Sequence, residues 1–409
     1  MKSIAVIGGG ISGLSIAQCL KDRFEVKVFE SASKPGGLIK CDRIDGNLYH
    51  MVGGHVFNSR RQDVLDWFWK FFNRDEEFTK ATRNAVVYMG KPIGYPIENH
   101  IYQFELELQK KIILELLEIA KNSQSEPKNF EEFLKFRFGK TLYEIYFKPY
   151  NEKVWKCDLS EVPLTWLAGK LPMPSVEEII FSNFNKASES NMVHSTFYYP
   201  KNNGSQFLAD RLAQGININY NSKISSLKKV DQKWMINEEL FDKIIFCGNI
   251  KDLVEMIEDS IDIYKKQIEE LEYHGTTSVL CEILNNDFSW IYMPTVEHHS
   301  HRIICTGNFS DTNNGSKALS ATIEFTDEIG QEDILHNLGN LPYSPKYISH
   351  RYTQYTYPIQ NTDTKNMIDS IKKLIEPEGI YLLGRFAEWE YYNMDAAIGA
   401  AIDLNSVLD

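Results

Sequence analysis

The first thirty residues restrict the fold more than any other stretch. "SIAVIG" is an apolar run of strand length, "ISGLSIAQCLKD" carries apolar residues at helical spacing, and "FEVKVFE" alternates as a second strand. Between the first strand and the helix stands Gly8-Gly9-Gly10-Ile11-Ser12-Gly13, which satisfies G-x-G-x-x-G. Gly8, Gly10 and Gly13 permit a tight turn and a close backbone approach to a pyrophosphate at the helix N-terminus, where Ser12 also falls. Glu30, seventeen residues past Gly13 at the end of the second strand, is placed to accept from ribose hydroxyls. A strand–turn–helix–strand unit of this kind predicts an α/β fold with a Rossmann-like dinucleotide-binding domain.

The rest of the chain adds to that unit without repeating it. At 409 residues it is long enough for two or three structural units. "IYQFELELQKKIILELLEIAK" and "NFEEFLKFRFGKTLYEIYFKPY" have helical period and predict a helical insertion. "STFYYP", "ININYN" and "KIIFCGN" read as strands returning to the first domain. "TTSVLCEIL", "SWIYMP", "HRIICTGNF" and "SATIEFT" predict a mixed or antiparallel, substrate-facing sheet. The expected division is a dinucleotide-binding domain in three parts (1–90, 193–270 and 361–409), a helical segment (91–192) and a sheet segment (271–360).

Composition narrows the function. A formal charge of −12 argues against generic nucleic-acid binding, which relies on clustered Lys and Arg, so an anionic ligand needs a locally positive site. Six scattered cysteines (Cys19, Cys41, Cys157, Cys247, Cys281 and Cys305) form no C-x-x-C pair and read as the reduced thiols of a cytoplasmic protein. No apolar run reaches membrane-spanning length. The apolar N-terminus reads as a buried strand, not a signal peptide. In "EHHSH" (Glu297 to His301), strand geometry would put His299 and His301 on one face and His298 on the other, which favours a polar turn over a metal site.

The second glycine turn, "SKPGGLI", with Gly36, Gly37 and Leu38, resembles the flavoprotein pattern and favours FAD over a dissociable nicotinamide. Four further stretches follow in order: "GGHVFNS" (Gly53 to Ser59), "PYNEKVW" (Pro149 to Trp155), "HRIICTGNFS" (His301 to Ser310) and "GRFAEWEYYNMD" (Gly384 to Asp395). With the glycine motifs, they make the chain resemble the UDP-galactopyranose mutases, within the broader group of protoporphyrinogen-oxidase-like flavoproteins. The resemblance implies a noncovalent FAD, active when reduced, whose N5 serves as nucleophile while an NDP-hexose passes between pyranose and furanose forms for surface polysaccharide biosynthesis.

Residue by residue, the resemblance implies that His55, Arg302 and Tyr391 carry the chemistry. His55, with Gly53 and Gly54, would lie beside the flavin, as would Arg385, and Met394 and Asp395 would begin a helix aimed at the ring. Tyr150, Trp155, Trp290, Tyr292, Arg302, Tyr391 and Asn393 would form the substrate cleft, Arg302 by gripping the diphosphate, and Trp389 would cover it. The planar fork of an arginine suits that grip.

The chain also departs from the family. "LTWLAGKLPMPSVEEIIFSNFNKASES" lacks the second phosphate-binding arginine, leaving Lys170 or Lys186 as substitutes, and Asn393 and Glu390 replace an acidic and a basic residue. Sugar and nucleoside therefore stay open, as do the reductant, NAD(P)H included, and the oligomeric state, a homodimer included. Two competing readings are an amine-oxidase or protoporphyrinogen-oxidase-like oxidoreductase and a flavin- or nucleotide-sugar-binding protein without turnover.

Overall fold

The computed structural model describes residues 1–409 except 122–125, 163, 165–173, 187–195, 258–260 and 362. Strand β1 (Ser3–Ile7), helix α1 (Ile11–Leu20) and strand β2 (Glu25–Phe29) form the predicted N-terminal unit. Ile4, Ala5 and Val6 are fully buried, which is why that strand is apolar throughout and does not alternate. β1 lies at the centre of a five-stranded parallel sheet, between β2 and Lys243–Phe246, with Ile380–Leu382 and Asn217–Asn219 at the edges. Three distant parts of the chain thus meet in one sheet.

The C-terminal helix, Met394–Val407, packs against α1. Its small residues Ala397, Gly399 and Ala401 are buried, and Gly399 faces a different neighbour, since a Cβ there would stand 2.9 Å from the Arg61 guanidinium.

A second sheet of seven strands runs in the order Lys346–Pro358, Tyr273–Ile283, Leu319–Thr326, Arg302–Ile304, Trp290–Tyr292, Ala85–Tyr88, Pro92–Gly94. All neighbours are antiparallel except Trp290–Tyr292 and Ala85–Tyr88. Ala85–Tyr88, from the 1–90 segment, pairs with this sheet and not with the parallel one: Ala85 and Val87 are buried in the core shared with the helical segment, and Val86 in the core on the sheet's other face.

That helical segment comprises Leu106–Lys121, Phe130–Leu142, Lys148–Trp155 and Val176–Asn185. The second of these is broken at Gly139, whose φ of 83° lies in the left-handed region. A π-helical turn, Tyr143–Phe147, then delivers the chain to Lys148–Trp155, whose side chains reach the large sheet. No helix among the described residues is long and apolar enough to cross a membrane.

Candidate functional site

Two cavities lie where the parallel sheet, the large sheet and the helical segment meet. The larger, about 560 Å³, opens over the carboxyl ends of the parallel strands. Gly8, Gly10, Ser12 and Gly13 line it, with Glu30, Gly37, Leu38, His55, Arg385 and Met394. The glycines are required by space: a Cβ on Gly13 would sit 1.9 Å from the Gly8 carbonyl oxygen, and one on Gly37 would sit 3.1 Å from the Gly10 Cα. Glu30 accepts from the Gly9 N–H at 2.7 Å and the Ala32 N–H at 2.9 Å, which locks its carboxylate at the rim.

His55 accounts for its own protonation. Its Nε2 is 3.1 Å from the Leu38 carbonyl, so Nε2 carries the proton and Nδ1 a lone pair. Burial, reinforced by the Arg385 charge, pushes its pKa down to about 3. The imidazole is therefore neutral at pH 7.

Other predicted cofactor residues stand just behind this wall. Gly36, at φ 127°, donates its N–H to the Gly9 carbonyl at 2.8 Å and backs the turn. Gly54 does not make room for a ring: a Cβ there would meet Ile304 Cγ2 at 2.6 Å, so its small size serves packing against Arg302–Ile304. Gly53, at φ 62°, faces Glu324. Asp395, in the first turn of the C-terminal helix, does not line the cavity, whereas Asn393, expected in the sugar cleft, does. Lys40, Asn249, Arg351 and Tyr355 also line it, although no sequence motif marked them, as does Tyr392 from within the stretch Gly384 to Asp395.

The smaller cavity, about 220 Å³, is the cleft between the helix Lys148–Trp155 and the large sheet. It gathers Tyr150, Trp155, Arg302 and Tyr391, all expected there, and adds Val154, His274, His301, Thr326, Tyr357, Pro358 and Ile359. Arg302 is less free than its place at a strand end suggested. Its Nε bonds the Glu324 carboxylate and its Nη2 donates to the Tyr357 hydroxyl at 3.0 Å, which leaves Nη1 for a ligand.

Glu324 is fully buried. Burial alone would raise its pKa, but Arg302 and His301 hold it down at about 2, so it stays ionised. His301 lies 3.5 Å from the same carboxylate, and burial lowers its pKa.

Several expected cleft residues are core. Trp290 packs on Phe197 and Phe309, and Tyr292 sits edge-on behind Tyr150 with its hydroxyl bonded by Arg83. Trp389 is fully buried, its indole N–H donating to the Ile359 carbonyl at 3.0 Å, so it anchors the loop and does not cover the cleft. Lys186 is exposed over the Tyr102 ring and does not line the cleft, and Lys170 lies outside the described residues. The histidine run is a loop, not a strand, so His298 and His301 are both buried and His299 is exposed, against the expected pairing of faces.

Known proteins resemble the chain over nearly its whole length. Residues 6–74 match the family described as an NAD(P)-binding Rossmann-like domain. An Escherichia coli protein named "dTDP-fucopyranose mutase" is 24% identical across 98% of this chain and 97% of its own. A Klebsiella pneumoniae protein named "Probable UDP-galactopyranose mutase" is 23% identical across 98% of this chain and 93% of its own. The crystal structure of a reduced UDP-galactopyranose mutase superposes with a TM-score of 0.87 at 21% identity, covering 99% of this chain and 95% of that one. From end to end, the chain resembles the UDP-galactopyranose mutases in sequence and shares their fold.

Proposed function

We propose that the chain is an FAD-dependent nucleotide-sugar mutase that interconverts pyranose and furanose forms of an NDP-hexose. The observation that carries this reading is the junction of the two cavities: Arg385 lines one, Tyr391 lines the other, and the guanidinium lies 4.9 Å from the ring centroid. A redox-active ring in the first would border a sugar in the second.

The residues of the larger cavity fit FAD. The opposed Gly10 and Gly37 leave room for a pyrophosphate, the amino end of α1 favours its charge, and Glu30 supplies a carboxylate at the ribose position. FAD held there in its reduced form would supply a nucleophile for the anomeric carbon, and the isomerisation would be redox-neutral overall. Met394 brings the amino end of the C-terminal helix to the same cavity, which favours an anionic ring. His55 keeps its proton on Nε2 and presents no positive charge.

In the cleft, Arg302 directs Nη1 toward a diphosphate while Glu324 and Tyr357 fix its plane. Tyr391, stacked on Tyr357 at 5.6 Å, and Tyr150 wall the site, and Val154 and Ile359 keep part of it apolar. We assign 1–84, 193–270 and 361–409 to the FAD domain and Ala85–Tyr88 to the large sheet, with cytoplasmic function and NAD(P)H as a candidate reductant.

The test is anaerobic. Protein reduced with dithionite is incubated with a panel of UDP- and dTDP-hexopyranoses and the products are separated by chromatography. A furanose product formed only with reduced cofactor is expected. Oxygen consumption by the oxidised protein without any furanose would replace this reading with an oxidase.

A further inference from the structure

We propose that His274 is a positioning residue of the cleft: as an imidazolium, it ties the end of the helix Lys148–Trp155 to the large sheet and so holds the Trp155 wall in its ligand-binding place. The inference rests on the reading of that cleft as the nucleotide-sugar site.

The geometry is that of a two-handed donor. Nε2 lies 2.8 Å from the Trp155 carbonyl oxygen, and Nδ1 lies 3.1 and 3.2 Å from the two carboxylate oxygens of Asp327. A carbonyl and an ionised carboxylate can only accept, whereas a neutral imidazole has a single N–H to give. Only the doubly protonated ring satisfies both partners.

The partners explain why a cation belongs there. The Trp155 carbonyl is in the last helical turn, where no intrahelical donor remains, and the chain leaves the helix through a left-handed Lys156 with φ 54°. A positive charge at a helix carboxyl end is favourable. Asp327 is itself anchored: it accepts the Gly275 N–H at 3.0 Å, and its carbonyl accepts from the Thr277 hydroxyl at 2.7 Å. The Thr356 hydroxyl, in turn, donates to the His274 carbonyl at 2.9 Å.

Charges on every side determine the direction of titration. Burial pulls the His274 pKa down, but Asp327 and the Trp155 carbonyl more than offset it, while Lys156 opposes them. The pKa is therefore above the ordinary imidazole value. Burial raises both the Tyr352 and Tyr357 hydroxyls, so they stay neutral. Lys153, on the same helix, donates to the carbonyls of Met293 at 2.9 Å and Ser300 at 3.1 Å, and burial pushes its pKa down to about 7. The His274 tie is complete below about pH 6.5 and is lost as the pH rises through its raised pKa.

The experiment uses the full-length holoprotein in two arms. In the first, the indole N–H resonance of Trp155 is followed by NMR from about pH 6 to 9, the range in which a raised histidine titrates. It should move with the His274 ring protons. In Asp327→Asn, which keeps the histidine but removes its carboxylate, both midpoints should fall together, by about one pH unit.

In the second arm, calorimetry measures the Kd of UDP-galactose and dTDP-glucose, whose pyrophosphate diesters do not titrate in this range. Wild-type affinity should weaken several-fold with rising pH, and His274→Gln should bind weakly throughout, keeping only the Lys153-dependent part. A Trp155 signal blind to His274, or parallel affinity profiles for wild type and both variants, would overturn the proposal. No binding by any member of the UDP- and dTDP-hexopyranose panel while Trp155 still follows His274 would support the tie and reject the reading of the site.

Discussion

The Arg385 guanidinium lies 4.9 Å from the centroid of the Tyr391 ring, and this contact is the seam between the two cavities. The same guanidinium donates from Nη1 to the Thr356 carbonyl at 2.9 Å and from Nε to the Tyr392 carbonyl at 3.1 Å. It thereby joins the long strand Lys346–Pro358 to the loop that leads into the C-terminal helix. Lysine keeps the charge but not the fork. Arg385→Lys should therefore cost about 1–3 kcal/mol in urea denaturation and loosen cofactor retention on gel filtration. Unchanged stability would show that the seam does not depend on the fork.

Arg302, partly exposed to the cleft, and the fully buried Glu324 form an ion pair on neighbouring strands, paired residue to residue in the sheet. Removing only the cation strands an ionised carboxylate with no exposure to water. Arg302→Ala should lower stability by about 3–5 kcal/mol, and adding Glu324→Gln should recover part of that loss. Nucleotide-sugar affinity should fall by about tenfold or more in both proteins, since a charged hydrogen bond to the diphosphate is worth roughly 1.5–3 kcal/mol. Thermal denaturation and calorimetry separate the two effects, and an Arg302→Ala protein as stable as wild type would sink the structural half.

Much of this was legible in the chain because local pattern and local space coincide. The β1–α1–β2 unit follows from an apolar run, a helical period and glycines whose Cβ positions are already occupied by backbone. Tyr150, Trp155, Arg302 and Tyr391 were found through motif resemblance, and they do meet in one cleft. His274 and Tyr357 were missed because their role comes from register: they pair across two long strands more than eighty residues of chain apart, and no local spacing encodes that. Trp290, Tyr292 and Trp389 were misplaced because an aromatic residue near a motif packs a core as readily as it lines a cleft.

Gly13 and Gly54 look alike in sequence but answer to different neighbours. A Cβ on Gly13 meets a backbone carbonyl at 1.9 Å, which cannot yield without opening the turn. Gly13→Ala should abolish retention of the dinucleotide, read as loss of flavin absorbance after purification. A Cβ on Gly54 meets side-chain atoms of Ile304 at 2.6 Å and Phe309 at 3.1 Å. Gly54→Ala should retain cofactor and cost about 1–3 kcal/mol from overpacking. The reverse ranking of the two variants would contradict these assignments.

His50 makes the acid limb of stability predictable. Its Nε2 is 2.7 Å from the Tyr199 hydroxyl oxygen, which also accepts from the Asn313 amide at 3.0 Å. The hydroxyl proton must then point at Nε2, so the ring is neutral with its own proton on Nδ1, toward the Cys41 sulfur at 3.6 Å. Protonating Nε2 would set two donors against each other in a fully buried site, and burial lowers the pKa to about 4. A depressed histidine stabilises the fold fully above its unfolded value and loses that contribution as the pH falls from about 6.5 toward 4, on the order of 3 kcal/mol in total. His50→Gln, whose amide oxygen can still accept from Tyr199, does not titrate. Unfolding free energies measured by urea at stepped pH should therefore fall more steeply for wild type than for His50→Gln across that window. Any effect of His55 is common to both proteins, so equal slopes would mean that His50 is not the proton-linked group.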